Sequence, residues 1–160
     1  MRRKDREVED KSAIERTLRR AMVCRVAMCD GQTPYVVPMC FGCAGDRLYL
    51  HCAPEGKKID ILEKNSRVCF EVDVDQELVR GAQPCEWSFN YRSVIGFGNA
   101  VFVEACKEKQ RALDLLMEHF GGEASSYSED ALGRVTIIRI DIESLTGKQS
   151  GYEGADDQPI

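Results

Sequence analysis

From Val23 to Ile142 the chain is a series of short apolar segments divided by turn residues, and the segments alternate with period two more often than with a helical period. Arg67-Val68-Cys69-Phe70-Glu71-Val72-Asp73-Val74 alternates as a half-buried strand does. Val23–Cys29, Tyr35–Phe41 and Arg47–His51 read as three earlier strands, with Asp30-Gly31 and a second Gly-containing turn between them, and so as a meander. Phe89 to Glu104 is long enough for one bent strand, in which Gly96 and Gly98 permit a bulge or a close backbone approach. Arg134–Ile142 reads as the closing strand. Helical spacing is confined to three places. A capping box, Ser12-Ala13-Ile14-Glu15, precedes Leu18 and Ala21; Ile59 and Leu62 follow Pro54; and Leu113, Leu116, Met117 and Phe120 precede Gly121-Gly122. The polar stretch Glu77–Trp87 reads as a long connection with room for a short strand, and Glu123–Asp130 as a loop. This order predicts a mainly β fold with flanking helices, a closed antiparallel barrel in preference to a parallel α/β sheet.

A chain of 160 residues fits one domain, expected over residues 1–150, with residues 151–160 too polar to pack and read as a disordered tail. The net charge of −5 argues against nucleic acid and anionic membrane as partners. The basic start, Met1-Arg2-Arg3-Lys4-Asp5-Arg6, is followed by acidic residues and a helical pattern instead of an apolar core, and no segment reaches the ~18 apolar residues of a membrane span, so a cytoplasmic protein is expected. In that reducing setting the eight cysteines read as small core residues, six of them (Cys24, Cys29, Cys40, Cys52, Cys69 and Cys106) lying in or beside apolar runs. The C-x-x-C of Cys40 and Cys43 has no second pair to complete a zinc site and runs into a turn instead of opening a helix, so no metal is expected there. Gly96-x-Gly98 lacks the third glycine of a dinucleotide fingerprint.

One junction points to chemistry. In His51-Cys52-Ala53-Pro54-Glu55-Gly56-Lys57-Lys58 a strand passes into a helix, with Pro54 suited to the first helical position and the N–H groups of Glu55, Gly56 and Lys57 left without intrahelical partners. A helix end of that kind, with two ammonium groups and an imidazole beside it, favours a phosphate. Lysines in a first turn also oppose the macrodipole, so Lys57 and Lys58 are either solvated surface residues or anion ligands.

Five segments in order carry a resemblance: Met1–Glu7, Cys24-Arg25-Val26-Ala27, Pro34-Tyr35-Val36-Val37-Pro38-Met39, His51–Lys58 and Tyr91-Arg92-Ser93-Val94-Ile95-Gly96-Phe97-Gly98. Together they resemble the pyridoxamine-5′-phosphate-oxidase-like flavin-binding split barrels, and within these the Nim-type proteins associated with 5-nitroimidazole resistance, over about residues 1–150. The resemblance implies an antiparallel FMN-binding split β-barrel that pairs as a homodimer with FMN between the two chains. It implies that Val37, Pro38, Met39 and Cys40 run along the isoalloxazine edge, and that His51, Lys57 and Lys58 lie near the ribityl phosphate with Arg92, Ser93 and Val94 of the long strand.

Arg92 and Ser93 are residue types suited to a phosphate, and equally to the outward face of a strand. His51 is the one candidate catalytic residue. It is open to three roles: phosphate ligand, substrate contact over the flavin, or strand-end residue with a structural partner. Trp87 is read either as cover for a flavin face or as a loop anchor, and Lys148, placed just past the final strand, as a cofactor contact or a solvated lysine. The activity implied is FMN-dependent reduction of a small electron-poor molecule, nitro-aromatics included. The alternatives are a non-catalytic flavin or haem carrier or sensor, with His51 available to iron, and oxidation of pyridoxamine phosphate itself.

Overall fold

The computed structural model describes residues 3–152. Along them run β1 (Glu7–Val8), α1 (Lys11–Arg20), β2 (Cys24–Asp30), β3 (Thr33–Met39), β4 (Phe41–Ala44) and β5 (Arg47–Cys52). Then follow α2 (Lys57–Leu62), β6 (Arg67–Val79), β7 (Ser88–Val103), α3 (Cys106–His119), α4 (Glu129–Gly133) and β8 (Thr136–Ser150). The strands form one antiparallel sheet in the order β3-β2-β6-β7-β8-β5-β4, with β1 added beside β8.

That order dictates the shape. β3 and β4 occupy opposite ends of the sheet, yet only Cys40 separates them in the chain, so the sheet has to curl until its two ends are neighbours. They do not pair with each other, and the barrel is therefore split. This corrects three expectations: the closed barrel, the single strand Tyr35–Phe41, and the three-strand meander, since β5 pairs with β4 and β8 and not with β3. Met39 and Phe41 are both buried on either side of exposed Cys40, so the chain changes sheet position without breaking its in–out alternation.

Inward side chains of every long strand fill the interior, among them Val26, Phe41, Leu50, Phe70, Val94 and Ile140, and Ile14 and Leu18 of α1 pack against them. α3 lies on the outer face of β4 and β5 over a smaller core of Tyr49, Val103, Ala112, Leu115 and Ile137. Gly42 permits that contact, because a Cβ there would lie 2.7 Å from the Leu115 carbonyl carbon. Gly96 makes room for Phe70 in the same way, a Cβ there falling 2.2 Å from its Cζ. Next to Gly98 the register shifts: Phe97 faces Ser144 and Gly98 faces Ile142, which leaves Glu143 as an extra residue on β8.

Several boundaries differ from expectation. α1 is capped by Asp10, whose carboxylate accepts from the Ser12 N–H at 3.0 Å; the Ser12 hydroxyl donates to that carboxylate at 2.8 Å and does not cap the helix itself. β6 extends into the expected connection as far as Val79, which leaves residues 80–87 between β6 and β7. The expected loop at 123–130 is present over 123–128 and its last two residues open α4, and the last strand extends to Ser150. Cys40 and Cys106 are exposed, against the expectation that they are core residues, whereas Cys24 is buried and Cys29, Cys52 and Cys69 are half-buried. Of the tail, only Gly151 and Tyr152 fall within the described residues. No described helix is long and apolar enough to cross a membrane.

Candidate functional site

β3 is an edge strand, paired on one side only, and its sequence says which backbone groups it leaves free. Pro34 and Pro38 have no N–H to give to β2, so residues of their parity turn their backbone polar groups away from it. Val36 thereby presents both an N–H and a C=O at the open edge. Of the expected ring segment, Pro38 and Cys40 are exposed, Val37 is half-buried and the Met39 side chain belongs to the core.

At the β5–α2 junction the helix starts later than the sequence suggests. Its N-cap is Gly56 at φ 126°, a conformation that glycine alone adopts readily, and Pro54 lies in the bend before it instead of at the first helical position. The outward N–H groups are accordingly those of Lys57 and Lys58, since the Ile59 N–H already donates to the Gly56 carbonyl at 2.8 Å. Lys57 leans across to the β2–β3 hairpin, its Nζ 3.8 Å from the Asp30 carboxylate and 5.0 Å from the centre of the Tyr35 ring. Lys58 is half-buried beside Cys52 and has no carboxylate partner among the described residues. His51 is exposed at the end of β5, opposite Ile137, and no described residue hydrogen-bonds to it.

On β7 strand parity separates two neighbours. Val94 is buried, so Arg92 shares its inward face while Ser93 faces out. Arg92 Nη1 donates to Asp75 Oδ2 at 2.6 Å, and its guanidinium stacks 4.0 Å from the Tyr152 ring centre. Asp75 is the bulged residue of β6, at φ 58°; its carboxylate also takes Arg20, and its carbonyl accepts from the Tyr152 hydroxyl at 2.8 Å. Arg92 thus belongs to an internal ion-pair cluster, with Nη2 buried and without an acceptor among the described residues. Ser93, by contrast, stands opposite Lys148, which lies within β8 and not beyond it. Lys148 Nζ sits 5.5 Å from the Tyr91 ring centre. Burial acts to raise the Tyr91 pKa, but hydrogen bonding and charge from Lys148 and Arg6 outweigh it and draw the phenol below the usual tyrosine value. Neither cation has an ion-paired carboxylate among the described residues. Ser93, Tyr91, Lys148 and Arg6 therefore form an outward face suited to an anion. Arg6 and Tyr91 were not singled out individually from sequence; counting alternation back from Val94 would have put Tyr91 with Ser93.

One chain does not bring the two sets together. Through the register His51–Ile137–Val103, the His51 end lies ten positions from Ser93 along β7, ~33 Å of strand path. Between them the outer face is apolar: Ile95 and Phe97 are 41% and 43% exposed, and Phe97 is in line with Cys69, Ala27 and Val36 across β6, β2 and β3. Trp87 is tied to its own loop, Nε1 donating to the Gly81 carbonyl at 3.0 Å.

A model of the pyridoxamine 5'-phosphate oxidase family matches residues 10–149. The chain belongs to this family. Among solved structures it is similar to a candidate 5-nitroimidazole antibiotic resistance protein from Bacteroides thetaiotaomicron VPI-5482, with 38% identity, 89% of this chain and 86% of that one covered, and a TM-score of 0.81. Two more distant structures share the fold. An FAD and haem binding protein from Mycobacterium smegmatis is 19% identical over 96% of this chain and 77% of its own, with a TM-score of 0.80. The flavocytochrome Anf3 from Azotobacter vinelandii is 20% identical over 99% of this chain and 75% of its own, with a TM-score of 0.78. No curated protein matches this sequence.

Proposed function

We propose that this family member is an FMN-dependent oxidoreductase that acts as a homodimer in the cytoplasm on a small electron-poor molecule, nitro-aromatics included. The observation that carries the reading is the pair of separated half-sites: a free strand edge with His51, Lys57 and Lys58 at one place, and the cationic face of Ser93 and Lys148 at another, with exposed Ile95 and Phe97 between them. Two copies apposed on that apolar face would complete each half-site with the other chain. The residues fit FMN in kind. The backbone of β3 from Val36 to Cys40 offers donors and acceptors to a ring edge, and Lys58, Lys148 and Arg6 offer unpaired charge to a phosphate. Lys57 would reach the phosphate by leaving Asp30. Val94 contributes through the chain it holds in place, since its side chain is in the core. Bound FMN supplies the redox chemistry; the protein orients it, keeps water from its face and sets the charge around it. His51, exposed and without a hydrogen-bond partner among the described residues, is the side chain free to meet a substrate.

The test is to load the purified protein with FMN, remove free ligand and record its spectrum, mass and turnover. Bands near ~370 and ~450 nm, about one FMN per chain, a dimeric mass and substrate reduction faster than with free FMN support the reading. A colourless monomer refutes it, and a Soret band without released flavin moves the function to haem and His51.

A further inference from the structure

A cavity of about 640 Å³ lies between α1 with β1 on one side and the bulge of β8 with the β4–β5 turn on the other, bordering the Ser93–Lys148 face through Glu7, which stands opposite Lys148 in the β1–β8 ladder. The cavity borders the bulge of β8 at Glu143, beside which the Ile142 N–H donates to the Asp46 carbonyl at 2.9 Å and carries the β5–β8 ladder one pair beyond Arg47–Asp141. Val8, Ile14, Leu18, Ile142 and Leu145 line its floor. Around the mouth stand Glu7, Glu9, Glu15, Asp46 and Glu143 against a single cation, Lys11. Glu143 is engaged by Arg67 and by Asn99, but the other four carboxylates have no ion pair or side-chain hydrogen bond among the described residues.

We propose that this groove binds a small organic cation with an apolar body, of the class of protonated aryl-alkyl amines. The volume is that of a small-molecule site, the floor offers an apolar body the same contacts that the core makes, and the rim has an excess of negative charge facing water. Charge complementarity selects the occupant. An anion such as a flavin phosphate is repelled, and a neutral apolar molecule gains nothing from the rim. The ammonium remains at the exposed rim, so it keeps part of its hydration and avoids the cost of burying an unpaired charge. The inference is independent of the flavin reading, because it uses none of the residues assigned to FMN.

The test is calorimetric titration of the full chain, loaded with FMN where it takes FMN, with three matched probes: phenethylammonium, phenethyl alcohol and phenylacetate. Phenethylammonium is expected to saturate one site per chain at least about tenfold more tightly than the alcohol, with phenylacetate weaker still, as two or more exposed charge pairs allow. The double variant Glu9→Gln/Glu15→Gln, whose melting temperature and FMN content serve as folding controls, is expected to lose that preference and bind amine and alcohol alike. Equal binding of amine and alcohol by the parent protein, or an undiminished preference in the variant, overturns the proposal. So does a change of mass on titration measured by light scattering, which would assign the groove to a second copy of the chain.

Discussion

Arg92 tests whether an arginine suited to a phosphate by its chemistry is instead part of the fold. Replacing it with Met keeps much of the aliphatic stem and removes the charge. The Arg92 and Asp75 side chains are each only 12% exposed and meet at 2.6 Å. Removing one partner of such a pair costs about 3–5 kcal/mol, and because Arg20 still holds the Asp75 carboxylate the lower end applies, ~3 kcal/mol. Loss of the guanidinium stack on Tyr152 adds about 0.5–1 kcal/mol, which the retained packing of a Met side chain offsets. For a chain of this length each kcal/mol is worth about 2–4 °C, so Arg92→Met is expected to melt roughly 6–12 °C below the parent. Thermal melts followed by circular dichroism read that shift, and FMN titration well below the melt reads affinity separately. The expected FMN affinity is within about threefold of the parent, less than 1 kcal/mol. An unchanged melting temperature together with a loss of FMN affinity beyond about tenfold would refute the internal-pair account and return Arg92 to the phosphate.

On the outward face the expectation reverses: Lys148→Ala should weaken FMN binding by about tenfold, more at low salt than at high, while leaving the melting temperature within ~1 °C, and a melt-only effect would sink it. The same substitution removes a cation that favours the Tyr91 phenolate, so ultraviolet titration should find a phenol ionising at higher pH than in the parent. Gly96→Ala drives a methyl into Phe70 and should cost about 1–3 kcal/mol, partly recovered by adding Phe70→Leu. Gly98→Ala meets the Asp141 carbonyl oxygen at 2.3 Å, a backbone atom, so no side-chain change should rescue it; denaturant melts of the single and double variants decide both cases. Burial pushes the Cys43 thiol up to about 12 and raises Cys24 as well, so at pH 8 a thiol reagent should label Cys40, Cys85 and Cys106 quickly and reach Cys24 and Cys43 only on unfolding. Mass mapping of the labelled sites gives the answer, and early labelling of Cys43 would contradict it.

The strands were legible where alternation and glycine agree. Val68, Phe70, Val72 and Val74 mark one face of β6, and Gly96 and Gly98 stand where close packing and a bulge occur. The break at Cys40 was not legible, because Met39 in, Cys40 out and Phe41 in is what an unbroken strand also shows; only the pairing of β4 with distant partners reveals it. The second half of β8, Ser144–Ser150, is poor in strand-forming residues and is held by β7 on one side and by β1 or no strand on the other, information that local sequence does not contain. The helix start moved because Gly56, and not Pro54, has the conformation the junction needs. Arg92 and Ser93 could have been told apart by period-two counting from Val94, since a one-residue shift changes the face of a side chain. The pairing of Lys57 with Asp30 needed the tertiary structure, which brings α2 beside the β2–β3 hairpin.

The place of β8 in the sheet order has a kinetic consequence. Among the described strands it is the last to be made, yet it lies between β7 and β5 and is the one that pairs with β1. Without it the chain can assemble β3-β2-β6-β7 and the hairpin β4–β5, two pieces with unpaired edges and no hydrogen-bonded ladder between them. During synthesis those edges stay open until residues 136–150 have emerged, and the pairs that close them, such as Arg47 with Asp141 and Ser93 with Lys148, join residues far apart in the chain. Folding of this molecule is therefore a late, concerted event with high contact order, and a nascent chain stalled before β8 is the species most exposed to aggregation.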